Sequence, residues 1–112
     1  MTIDVYEAYY AASCVYQDVP RRAVSVKLTS DSEGGYITYT ASVSFFPHRE
    51  EDDYAVSYDA YAEQVLYSGK GRRSKKREAA LLEDLQSVCD GLAGSLCGTI
   101  DWSRPLWIAS AR

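Results

Sequence analysis

The chain has 112 residues, 46% hydrophobic and 25% charged, which are the values of one ordinary globular domain and exclude intrinsic disorder. Its 12 Lys and Arg against 16 Asp and Glu give a formal net charge of −4, so it lacks the overall basic character of a general nucleic-acid binder. The odd count of three cysteines, Cys14, Cys89 and Cys97, with no C-x-x-C spacing, argues against a disulfide framework or a zinc site. Cys14 and Cys89 read as core residues.

The N-terminus, Met1-Thr2-Ile3-Asp4, carries neither a basic n-region nor an apolar h-region, so no signal peptide is expected. No apolar run is long enough to span a bilayer. The sequence reads as soluble, intracellular and cytoplasmic. Tyr is the over-used residue, with ten copies; its apolar ring and polar tip suit half-buried sheet faces and binding surfaces.

In chain order, residues 4–17 read as a helix. Asp4 and Glu7 make a capping pattern, and Val5, Tyr9, Ala12 and Tyr16 fall on one helical face. An edge strand over 2–6 is the competing reading, and Pro20 ends the element either way. Residues 23–30 read as a strand, with Val24, Val26 and Leu28 alternating with Ser25, Lys27 and Thr29. A turn-rich segment ending in Gly34-Gly35 leads to a second strand over 36–46. There Ile37, Tyr39, Ala41, Val43 and Phe45 share one face, and Tyr36, Thr38, Thr40, Ser42 and Ser44 share the other.

Residues 47–53 form a longer acidic turn. Glu50, Glu51, Asp52 and Asp53 read as a solvated loop, since no EF-hand spacing accompanies them. His48, the only histidine, reads as a turn residue. Residues 54–67 favour strand over helix because Tyr and Val dominate. Residues 74–93 read as the clearest helix: Ser74 is a natural N-cap, Leu81, Leu85, Val88 and Leu92 line one face, and Gly91 and Gly94 mark its fraying end. The tail over 97–112 carries Trp102 and Trp107, which suit docking against the domain or anchoring a partner.

The expected fold is α+β: a three-stranded antiparallel meander with two helices packed on one face and a C-terminal tail. The expected organisation is one domain over 1–112, with its core over 4–96.

The most distinctive stretch joins the sheet region to the last helix. Lys70, Arg72, Arg73, Lys75, Lys76 and Arg77 crowd into eight residues with no acid, a local +6; set against the net −4, this leaves the rest of the chain at −10. The plain alternative is a solvated loop. Against that, cations in the first helical turn oppose the helix dipole, which points to a negatively charged partner outside the fold. The residues Gly69-x-Gly71-x-x-Ser74-Lys75-Lys76-x-x-Ala79-Ala80 resemble the basic motif of the double-stranded RNA-binding domain, with one extra residue before the serine. The resemblance implies that Lys75, Lys76 and Lys70 contact phosphates across a major groove of duplex RNA, which that family reads by shape. The family's Gly-Pro-x-His loop has no counterpart here.

Two binding functions compete on the sequence. The first is a non-catalytic module that uses Lys70–Arg77 to engage duplex RNA or DNA, or a nucleoprotein complex. The second is a small acidic inhibitor of the phage anti-defence, anti-CRISPR type. In that reading Asp31, Glu33, Glu50, Glu51, Asp52 and Asp53 mimic phosphates, with Tyr36 and Tyr54 as anchors on a partner's basic surface. No P-loop, nucleophile elbow or dinucleotide turn is present, so no enzymatic activity, metal or cofactor is expected.

Overall fold

The computed structural model describes residues 1–18, 20–46 and 60–109. The chain runs β1 (Thr2–Cys14), a short 3-10 turn (Tyr16–Asp18), β2 (Arg21–Glu33), β3 (Tyr36–Phe46), β4 (Ala60–Lys70), α1 (Lys75–Ser95) and β5 (Gly98–Ala109). The strands form one antiparallel sheet in the order β4-β3-β2-β1-β5. β1 to β4 are a four-stranded meander. α1 then carries the chain across one face of the sheet, from the β4 edge to the opposite edge, where β5 pairs with β1.

This corrects the expected architecture: the sheet has five strands rather than three, and α1 is the long helix in place of two. The helix expected over 4–17 is β1. Its period-2 pattern is broken by a bulge at Val5, between the pairs Asp4–Thr29 and Tyr6–Leu28, and by a second shift between Ala11 and Cys14. The bulge puts Val5, Ala8 and Tyr10 together in the core. Of the face expected for a helix, Val5, Tyr9, Ala12 and Tyr16, only Val5 is in this buried set, and Tyr9 lies on the opposite face of the sheet. The tail expected to dock does so as an edge strand. Trp102 packs edge-on against Tyr10, with centroids 4.8 Å apart, and its indole N–H donates to Asp90 at 2.9 Å.

The β2–β3 hairpin follows its alternation strictly. Val24, Val26, Leu28, Ile37, Tyr39, Ala41, Val43 and Phe45 are all 2% exposed or less and face α1. Against them the helix buries Leu85, Cys89 and Ala93, with Leu81, Val88 and Leu92 half-buried at its flanks. Burial pushes the Cys89 thiol up to about 12, so it acts as a small apolar residue. α1 runs through Gly91 and Gly94 to Ser95, with Leu96 as its C-cap, and Cys97 after it, at a φ of 59°, supplies the left-handed turn that glycine usually provides.

The tight turn between β2 and β3 holds Gly34 at φ 61° and Gly35 at φ 83°. Two consecutive positive φ values match the right-handed twist of a hairpin and favour glycine. Gly35→Val is therefore expected to destabilise the protein by about 1–2 kcal/mol, measured as a lower urea midpoint at unchanged m-value.

Candidate functional site

The basic stretch is built by three elements meeting at one corner. β4 ends at Lys70, and Gly71, at φ 123°, donates its N–H to Gly35 O at 2.9 Å, which ties the strand exit to the β2–β3 turn. Ser74 caps α1 by accepting from Arg77 N at 3.2 Å. Within this corner the six cations separate into two groups.

Arg73 and Arg77 serve the fold. Arg73 donates from Nε to Glu78 Oε2 at 2.8 Å and from Nη2 to Glu78 Oε1 at 3.0 Å. The buried Tyr39 hydroxyl donates to Glu78 Oε2 at 2.8 Å and accepts from Ser74 N at 3.2 Å. Glu78 is thus a buried carboxylate in the first turn of α1, fully hydrogen-bonded and favourably placed in the helix dipole. The Arg73 hydrogen bonds, aided by Tyr39, hold its carboxyl below the usual range against the opposing effect of burial. Burial raises the Tyr39 phenol. The Arg77 guanidinium lies 3.7 Å over the Tyr67 ring, a close cation–π contact.

Lys70, Arg72, Lys75 and Lys76 are exposed, and none forms an ion pair with another described residue. Of the six candidate cations, Arg73 is thus committed to Glu78, Arg77 is exposed but rests on the Tyr67 ring, and the other four are exposed without such a contact.

The structure also brings part of the acidic candidate set to this corner. Glu33 ends β2 opposite Tyr36, and Tyr36 pairs across to Lys70. Asp31 is occupied by the N-terminal amino group at 3.5 Å and by Thr2 Oγ1 at 3.1 Å. Glu50, Glu51, Asp52, Asp53 and Tyr54 lie outside the described residues, as does His48.

The sheet face opposite α1 has no layer of described secondary structure over it. Along β3 and β4 it presents the cross-strand pairs Tyr36–Lys70, Thr38–Ser68, Thr40–Val65, Ser42–Glu63 and Ser44–Tyr61. Tyr36 is 52% exposed and Tyr61 is 55% exposed. Lower on this face a groove of about 580 Å³ has a floor of Ser25, Thr40 and Ser42, with Tyr9, Phe46 and Tyr61 as aromatic walls. Tyr9 and Phe46 meet edge to face, with centroids 5.8 Å apart. Tyr61 donates to Glu63 Oε1 at 2.6 Å, which with burial raises its phenol pKa.

Lys27, also in the groove, pairs with Glu7 at 3.8 Å. The groove thus carries both signs of charge, and the unbalanced positive charge stays at the corner. No family model, curated protein or solved structure matches this chain.

The aromatic walls Tyr9, Phe46 and Tyr61 did not figure among the sequence candidates. Their signal was present as the second face of the β3 alternation, where a row of Ser and Thr replaces the charged residues common on a wet strand face. Among the described residues no group of three or more His, Cys, Asp or Glu is placed to hold a metal. No described helix is long and apolar enough to cross a membrane.

Proposed function

We propose that this protein is a non-catalytic nucleic-acid-binding protein that grips phosphates with Lys70, Arg72, Lys75 and Lys76. The observation that carries the reading is the division of the basic cluster. Arg73 is held by Glu78 and Arg77 rests on the Tyr67 ring, while Lys70, Arg72, Lys75 and Lys76 are exposed at one corner and form no ion pair among the described residues. Cations at a helix N-terminus oppose the dipole by about 0.3–1 kcal/mol each; the Lys75 charge is partly offset by its attraction to Glu78, and Lys76 gains its value against an outside anion. Arg72 can add a bidentate phosphate contact. The acidic remainder of the chain offers further phosphates no attraction, so the ionic contacts are made at this corner.

The test is a salt-titrated binding curve with a labelled oligonucleotide. Four phosphate contacts predict a slope of log K against log salt of about −3 to −4. Lys75→Ala/Lys76→Ala is expected to halve that slope and to leave the thermal midpoint unchanged or raised. Absence of binding at the lowest salt tested would overturn the reading and turn the search toward a protein partner for the acidic and tyrosine-bearing surfaces.

A further inference from the structure

Resting on that reading, we infer that the bound nucleic acid is single-stranded and that its bases stack on the sheet face opposite α1, at Tyr36 beside the cations and at Tyr61 in the groove. Tyr36 is the cross-strand partner of Lys70, and directly opposed residues on one sheet face have Cβ atoms about 5 Å apart. A nucleotide whose phosphate rests on Lys70 or Arg72 therefore has its base within reach of the Tyr36 ring. From Tyr36 the same face continues through Thr38 and Thr40 to Ser44 and Tyr61. The eight residue steps from Tyr36 to Ser44 along β3 span about 26 Å at ~3.3 Å per residue, room for a run of several nucleotides.

The charge along this path sorts bases from phosphates. Lys27 is paired with Glu7, and Glu63 lies beside Tyr61, so the groove offers no net attraction to phosphate. The hydroxyls of Ser25, Thr40 and Ser42 are short, leaving depth for a base and offering donors and acceptors to its edge. A strand whose phosphates at one end rest on the β4–α1 corner, and whose following bases lie on the sheet face, satisfies both halves of the surface. A duplex does not: its bases are already stacked and paired, and the half-exposed tyrosines would gain nothing from it.

The experiment compares oligo(dT), oligo(U) and a duplex of equal length, with heparin as a polyanion that has no bases. Each is measured against the wild-type chain, Tyr36→Ala, Tyr61→Ala, Tyr61→Phe and Lys75→Ala/Lys76→Ala. Both alanine positions are more than half exposed, so the fold is retained and near-ultraviolet circular dichroism verifies it. The expected result is a preference for single strands. Each Tyr→Ala change should weaken single-strand binding by about 5- to 100-fold, while Tyr61→Phe and heparin binding stay near wild type. Equal affinity for duplex and single strand, with the tyrosine variants silent and the lysine variant defective, overturns the single-strand inference and leaves the phosphate reading intact. Failure of every oligonucleotide to bind overturns both.

Discussion

Glu78→Ala is expected to destabilise the protein by about 2–4 kcal/mol, which is large for a position on the first turn of a helix. The side chain is only 5% exposed and gathers three donors: two from Arg73 and one from the Tyr39 hydroxyl. Removing it leaves the buried Tyr39 O–H without an acceptor. Arg73, a third exposed, can turn to water, which keeps the loss below that of a fully buried pair. Glu78→Gln keeps the shape but presents an amide N–H₂ to donors, so it should fall between wild type and Ala.

The pH dependence separates charge from shape. The Glu78 carboxyl is held below its ordinary value when folded. Its electrostatic contribution is therefore complete above the unfolded carboxyl value of about 4.3 and is lost as pH falls through the lower folded value. Urea midpoints should show wild type losing its advantage over Glu78→Gln across that acid window. A constant difference from neutral to acid pH would show that the carboxylate charge contributes nothing. Because this network seats the start of α1 on β3, its loss should also blur the geometry of Lys75 and Lys76.

The hairpin was legible over 23–30 and 36–46, because the inward residues from Val24 to Phe45 obey a period of two and Gly34-Gly35 names its own turn; β2 extends beyond that reading to Arg21 and Glu33. α1 was legible from Ser74 and the leucines that follow, although the buried line runs through Leu85, Cys89 and Ala93 rather than through Leu81 and Val88. β1 was not legible for a physical reason. It lies between β2 and a strand from the far end of the chain, so its conformation is decided by partners that no local window contains, and the bulge at Val5 removes the alternation that would have disclosed it. β5 is hidden in the same way: its register jumps from Asp101 to Pro105 between successive β1 partners, leaving Trp102 free to turn back toward Tyr10.

The site divides along the same line. Six cations could be counted in the sequence, but the partner that holds Glu78 beside Arg73, Tyr39, is 39 residues away. Only the folded chain tells the two structural arginines from the four outward cations. The row of Ser and Thr on β3 announced a polar face, yet period alone cannot say that α1 covers the other side and that no described element covers this one.

Phe45→Ala is expected to cost about 3–5 kcal/mol, the range of a fully buried ring removed without collapse of its surroundings. Phe45 has no solvent exposure and pairs with Val24 on one side and Ala60 on the other. The sheet coils enough for its ring to reach Gly98 at the start of β5. A Cβ there would sit 2.7 Å from Phe45 Cζ, 3.0 Å from Cε2 and 3.2 Å from Cys14 Cβ. Gly98 is thus glycine for space rather than for backbone freedom. Gly98→Ala alone should be destabilising by about 1–3 kcal/mol through overpacking, and the same change in a Phe45→Leu background should cost clearly less. A coupling of at least about 0.5 kcal/mol in the double-mutant cycle is the expected signature; strict additivity would mean that ring and glycine do not share the space. Phe45 faces α1 while its neighbour Phe46 lines the groove on the other face, so these core changes should lower stability and leave the salt slope of oligonucleotide binding unchanged. Substitutions at Lys75 and Lys76 should do the reverse.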